Sequence, residues 1–330
     1  MKNSTKIFLL SLFAVMFFVS CSDNSRKKTS RNNPKENKTH IMIPDFNADS
    51  AYVFVKKQVD FGPRVPGSSA HEACAGYLLD KLKEFADTAF FQSFKTRAFD
   101  GTTLNGKNII GSFNPKARSR IFLCSHWDSR PWADKDPDPS KHNIPVDAAN
   151  DGASGVGVIL EIARQMSISK PEIGVDAIFF DLEDYGSYSD NDSWALGARY
   201  WSKNLHDPDY NAKYGILLDM VGAKGAKFYM EGYSMMYAAD VVKKVWTAAG
   251  RAGYGQDFIF EKVGYIDDDH LPVNENAGIP TIDIIHLDNE SSNGSFFEYW
   301  HTTKDNMDAI SKETLKAVGQ TLLTVIYEEK

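Results

Sequence analysis

Cysteine is scarce in this chain: three residues in 330, Cys21, Cys74 and Cys124, each far from the others. That leaves no disulfide framework and no cysteine-clustered zinc site to expect. Long apolar runs are lacking as well, since the stretch from Ile7 to Ser20 is too short to span a bilayer comfortably. There is no surplus of positive charge. A net charge of −7 and a pI near 5.6 argue against nucleic acid as a partner. No internal repeat, no Gly-rich phosphate loop and no EF-hand spacing is present. Composition does not break after residue 45, and 42% hydrophobic content suffices for a sizeable core, so one large domain is expected.

The N-terminus carries an address. Lys2 and Lys6 precede the short apolar run, which ends in small residues before Cys21, the pattern of a secretory signal peptide. Phe18-Val-Ser-Cys21 resembles a bacterial lipobox, with Phe18 where an aliphatic residue is usual. The expectation is a lipoprotein signal over 1–20, lipidation at Cys21, a disordered tether over 21–45 and a catalytic domain over 46–330. Such a chain is lipid-anchored outside the cytoplasm, in the periplasm or at the outer membrane of a Gram-negative bacterium. Cys74 and Cys124 read as inert core thiols.

The chemistry is concentrated between Ile121 and Asp184. Two apolar runs there, Ile121–Ser125 and Asp176–Asp181, each break off into metal-binding side chains: His126-Trp-Asp128-Ser129 after the first, Leu182-Glu183-Asp184 after the second. Between them lies Asn150-Asp151-Gly-Ala-Ser-Gly155, followed by helical spacing from Ser154 to Met166. Buried strands separated by a helix read as a parallel α/β unit, and ligands bind beyond the carboxyl ends of such strands. His126, Asp151, Glu183 and Asp184 therefore converge on one rim. Each alone is ordinary: Asp-Gly is usually a turn, and a lone His usually a hydrogen-bonded loop residue. Adjacent carboxylates, however, repel unless a cation or a proton relieves them, and imidazole with carboxylates is a common catalytic zinc set.

The remaining pattern predicts a helix over 51–59 with Val53, Val55 and Val59 inward, then a helix over 71–85 and an antiparallel pair (90–98, 107–112) turning at Gly101. It predicts a helix over 235–250, a strand over 258–263, a core strand over 281–286 and a closing helix over 311–328. Tyr214–Asp219 reads as another buried strand, which adds Asp219 to the rim. The acids of residues 132–139 read as solvated. The fold class is α/β, one domain with a mixed, mostly parallel central sheet flanked by helices.

With these residues set out, the chain resembles the zinc aminopeptidase superfamily over roughly residues 48–328. The resemblance rests on Phe61-Gly-Pro-Arg-Val-Pro-Gly-Ser, His-x-Asp-Ser at 126–129, Asn-Asp-Gly-x-Ser-Gly at 150–155, Glu183-Asp184, Asp219 and His301-Thr. Within it, Asp268-Asp-His270-Leu-Pro, Trp194, Leu218-Asp219-Met-Val-Gly-Ala and Trp300-His301 are most similar to the glutaminyl-peptide cyclotransferases, or glutaminyl cyclases.

The resemblance implies one Zn²⁺ per chain held by Asp151, Asp184 and His301, with Glu183 as general acid/base. Asp219 and Asp268, hydrogen-bonded to each other, would assist catalysis, and Trp194 and Trp300 would wall the pocket for an N-terminal glutamine. The metal position beside the base is usually Glu in that family and is Asp184 here. His286 reads as a core residue of its strand. The alternative is a dinuclear zinc aminopeptidase with His126 and Asp219 as added ligands; a binding protein without catalysis is disfavoured by intact Glu183. Substrates are peptides or proteins beginning with glutamine, and the chain is expected to act as a monomer.

Overall fold

The computed structural model describes residues 42–288, 290–294 and 296–330. The expected signal segment, Cys21 and the tether up to residue 41 lie outside the described residues. In chain order, helices α1 (Ala48–Val59) and α2 (Ser69–Phe85) precede a hairpin of β1 (Thr88–Arg97) and β2 (Thr103–Phe113). Strand β3 (Arg120–His126), helix α3 (Ala153–Ile168) and strand β4 (Gly174–Phe180) follow, then α4 (Leu196–Lys203) and β5 (Gly215–Asp219). The last third holds β6 (Phe228–Met230), α5 (Gly232–Tyr237), α6 (Ala239–Ala252), β7 (Phe258–Lys262), the one-turn α7 (His270–Pro272), β8 (Thr281–Ile285) and α8 (Lys312–Glu328).

Six strands form the central sheet in the order β1-β2-β4-β3-β5-β8. β4, β3, β5 and β8 run parallel, while β1 pairs with β2, and β2 with β4, antiparallel. The expected mixed, mostly parallel sheet is therefore present. β4 is buried at every position, as a strand covered on both faces must be. Side chains of β3 alternate between two cores. Ile121 and Leu123 join Leu78, Ile159 and Leu322 under α2, α3 and α8, whereas Phe122 and Cys124 join Trp201 under α4. Register does the positioning. His126 stands opposite Phe180 at the ends of β3 and β4, and Asp219 opposite Ile285 at the ends of β5 and β8, so the chemistry-bearing loops leave one edge.

Several details differ from the pattern-based expectation. In α1 the inward face is Ala51, Phe54, Val55 and Gln58, and Val53 is 59% exposed, because a helical stripe follows every third or fourth residue and Phe54 outweighs Val53. The helix expected over 235–250 is two helices, broken where Ala238 adopts φ −146°. Strand β7 pairs with β6 in a small separate sheet and is mostly exposed. The domain starts slightly before Phe46: Ile43 packs on the core and Gln320 donates to the Pro44 carbonyl at 3.1 Å. Cys74 and Cys124 are free and buried, and burial pushes the Cys74 thiol up to about 12.

One glycine ties fold to site. A Cβ on Gly155, in the first turn of α3, would lie 2.4 Å from the Leu218 carbonyl oxygen and 2.4 Å from Ser125 Oγ. The close approach of α3 to β3 and β5 therefore requires no side chain there. Gly155→Ala should lower stability by about 1–3 kcal/mol, the usual cost of overpacking. An unchanged urea midpoint would show that the contact has slack.

Candidate metal centre and active site

The Asn150–Gly155 turn is held from both sides. Asp305 accepts from Asn150 N (2.8 Å) and Asp151 N (3.0 Å) through its two oxygens. Ser154 Oγ donates to Asn150 O at 2.6 Å and accepts from Val221 N at 3.0 Å, and Asn150 Oδ1 accepts from Gly222 N at 2.8 Å. Gly152 sits at φ +99°, and a Cβ there would lie 2.8 Å from the His126 ring. The motif is thus the clamp that aims Asp151.

A second clamp aims Glu183 and Asp184. Asp128 accepts from Glu183 N (3.1 Å) and Asp184 N (3.2 Å), just after Leu182 takes the left-handed φ of 62°. Asp181 accepts from Leu182 N (2.9 Å), Lys107 N (2.7 Å) and His71 Nε2 (2.9 Å), and His71 stacks on Trp127 with ring centres 4.3 Å apart.

Two clamped loops and a third, bearing His301, bring Asp151, Asp184 and His301 together, with one ligand atom from each within 4.8 Å of the others. His301 Nε2 lies 3.0 Å from Asp184 Oδ1 and 3.3 Å from Asp151 Oδ2. Asp184 is buried, with Arg130 Nη1 3.5 Å from its Oδ1, yet neither oxygen receives a well-directed hydrogen bond. Burial first, then the Asp151 charge, raises the Asp184 pKa, with His301 opposing. A buried carboxylate without donors is costly, and a cation at this point removes the cost, so the donor set fits zinc. Asp184, with its shorter arm, still brings a ligand atom within 4.8 Å of those of Asp151 and His301.

His126, Asp151 and Asp219 form an adjoining triad that shares Asp151. His126 Nε2 lies 2.9 Å from Asp151 Oδ1 and 3.5 Å from Asp219 Oδ1. All five ligand types expected from the sequence therefore meet. Glu183 stands outside both triads on the pocket wall. Its pKa is pushed well up, by burial first and by Asp184, Asp268 and Asp269, against the opposing His126.

Asp268 also lines the pocket, but the expected hydrogen bond to Asp219 is absent from the structure. Asp268 Oδ1 accepts from Asp269 N, while Asp268 Oδ2 and Asp219 Oδ1 have no partner. The two act as neighbouring buried acids instead. Burial and then Asp219 raise Asp268 to about 7, and burial raises Asp219 to about 6. His286 is outside the site, packed against Phe297 and lowered to about 4 by burial.

The pocket is a cavity of about 240 Å³. Trp194 and Trp300 both line it, and both stack on His301, at 6.1 and 4.0 Å between ring centres. Trp194 is seated by its Nε1 on the Ser187 carbonyl (3.1 Å), with the Arg130 guanidinium 4.7 Å from the ring.

Pattern reasoning overlooked several supports. Tyr188 Oη lies 2.6 Å from His301 Nδ1; a tyrosine in a polar loop carries no signal of that contact. Asp134 and Asp136 were expected to be solvated. Instead Asp134 pairs with Arg130 Nη2 at 2.6 Å, and Asp136, 4% exposed, accepts from Thr303 N at 3.0 Å and holds the His301 loop. Asp305, four residues after His301, offered spacing as a clue that was not taken.

A mixed sheet with buried imidazole–carboxylate triads at one edge defines a zinc-dependent enzyme of the peptidase type. The chain belongs to peptidase family M28, whose description "Peptidase family M28" matches residues 108–326. It is 53% identical to a Bacteroides thetaiotaomicron glutaminyl cyclase, solved bound to N-acetylhistamine, with a TM-score of 0.86 over 88% of this chain and 100% of that one. It is 54% identical to a Zn-dependent exopeptidase from Parabacteroides distasonis (TM-score 0.85; 87% and 100% covered). The glutaminyl-peptide cyclotransferase of Bos taurus is 24% identical over 303 residues, 80% of this chain and 78% of that protein.

A partner on the second nitrogen of a metal-bound histidine fixes its orientation. Tyr188→Phe should therefore weaken zinc binding by about 10-fold, the lower end of the effect of losing such a partner. Competition against a chromogenic chelator reads this without turnover, and an unchanged zinc affinity would remove Tyr188 from that role.

Proposed function

We infer that the chain is a glutaminyl cyclase, which converts the N-terminal glutamine of peptides and proteins to pyroglutamate with release of ammonia. The observation that carries this reading is Glu183. It faces an aromatic-walled cavity beside a buried carboxylate–imidazole triad without itself being one of the triad.

Zinc at Asp151, Asp184 and His301 would supply Lewis acidity toward the γ-carbonyl oxygen of the substrate. The chain's own residues do the rest. Glu183 takes a proton from the α-amine as its nitrogen bonds to the carbonyl carbon of the γ-carboxamide, and returns that proton to the departing nitrogen when the carbon–nitrogen bond of that carboxamide breaks. Its burial-raised pKa suits a group that must both accept and give a proton. Asp268, its pKa raised by burial and by the neighbouring Asp219, holds the amine or the leaving amide, and Asp219 stands behind it. Trp194 and Trp300 sandwich the glutamine side chain and keep out the water that would otherwise hydrolyse the amide.

One zinc per chain is part of the proposal. Among the candidate ligands, Asp184 is the carboxylate with both oxygens lacking a well-directed hydrogen bond, whereas Asp219 has one such oxygen and Asp151 lies 2.9 Å from His126 Nε2. The second reading, a dinuclear aminopeptidase, draws on the assembled His126–Asp151–Asp219 triad. We further propose that the chain works as a monomer and is lipid-anchored through Cys21 outside the cytoplasm, in the periplasm or at the outer membrane; Lys2, Lys6 and the lipobox-like Phe18–Cys21 support the anchor. No helix among the described residues is long and apolar enough to cross a membrane.

Incubation of a Gln-initiated dipeptide with the domain should yield ammonia and a product lighter by that one ammonia, with no free amino acid. Release of the first residue from ordinary peptides would replace the cyclase with the peptidase. Glu183→Gln should lower kcat by about 10²-fold or more, the usual worth of a general acid/base, with zinc retained. Elemental analysis should find one zinc per chain; two would install His126 and Asp219 as ligands.

A further inference from the structure

The pocket mouth continues into a row of tyrosines that the chemistry does not use. Tyr265 lines the mouth and is 63% exposed. Its ring centre lies 4.8 Å from that of Tyr233, which in turn lies 6.4 Å from Tyr237, itself 40% exposed. Tyr233 and Tyr237 stand one turn apart on α5, so they share a helix face.

The base of this row is rigid. The buried Glu231 carboxylate caps α5, accepting from Tyr233 N (2.7 Å) and Ser234 N (2.6 Å). It also accepts from Ile266 N at 3.0 Å, which ties the Tyr265 loop to the helix. A Cβ on Gly232 would lie 2.8 Å from the Tyr265 ring, so the close seating of that ring depends on glycine. Aromatic rings held contiguous and exposed on a fixed base mark a contact surface, and rigid tyrosines lose little side-chain entropy on contact.

The occupant follows from continuity with the pocket. A substrate held by its first residue must leave through the mouth, and its next residues then pass Tyr265. Three extended residues reach about 10 Å, which matches the two ring-to-ring steps. We propose that Tyr265, Tyr233 and Tyr237 form a subsite for the second to fourth residues of the substrate, selecting aromatic or bulky apolar side chains there. The proposal rests on the cyclase reading and names the substrate class within it.

The test compares Gln-Phe-Phe-amide with Gln-Gly-Gly-amide. The wild-type kcat/KM ratio should favour the aromatic peptide by about 10-fold, chiefly through KM, as partial burial of two rings against the row would give. In Tyr237→Ala and in Tyr265→Ser, both changes at exposed positions, that ratio should fall toward one. A wild-type ratio near one, or a ratio that survives both substitutions, overturns the subsite and leaves the row to another partner. If neither peptide is cyclised, the cyclase reading itself has failed. The subsite is then judged by calorimetric affinities of the two peptides for Glu183→Gln protein, where equal affinities reject it.

Discussion

Negative charge without enough donors, buried at one edge of a parallel sheet, is the constraint on which the rest of this structure depends. Asp151, Asp184, Asp219, Asp268 and Glu183 crowd a small volume, with the imidazoles of His126 and His301 set among them and the Arg130 guanidinium 3.5 Å from Asp184. In a low-dielectric site such a set is tolerable only with protons or a cation bound. The oxygens of Asp184 that lack well-directed donors place the demand for a cation beside Glu183. Binding zinc and keeping Glu183 available are thus two results of one arrangement.

What keeps these groups from relaxing apart is a further set of carboxylates spent on backbone. Asp305 grips the Asp151 turn, Asp128 grips Glu183 and Asp184, and Asp181 with His71 grips the peptide just before them. Each accepts two or more donors, so each is stabilised as an acceptor while it fixes the loop that carries a site carboxylate. Gly152 and Gly155 allow the loops and α3 to approach closely enough for this to work.

Structures named glutaminyl cyclase and Zn-dependent exopeptidase resemble this fold at similar identity, 53% and 54%. The frame alone therefore does not separate the chemistries. The difference must lie in what lines the cavity and in how many cations the paired triads take. Here Trp194 and Trp300 both stack on His301 and both line the cavity.

Local pattern carried much of this. The apolar runs of β3 and β4, the helical spacing of α3 and the turn at Gly101 are short-range features, and so the sheet with its rim of His126, Asp151, Glu183, Asp184 and Asp219 was legible in the amino-acid order. The burial of Asp136, the Asp134–Arg130 pair, the Tyr188–His301 contact, the break at Ala238 and the detachment of β7 from the main sheet were not. They arise where segments far apart in sequence meet, as when Asp136 accepts from Thr303. By itself the sequence determined which side chains stand at strand ends, because strand period and turn chemistry act over a few residues. Only the tertiary structure decided which acids keep free oxygens, since whether a carboxylate finds a donor depends on what the rest of the chain folds against it.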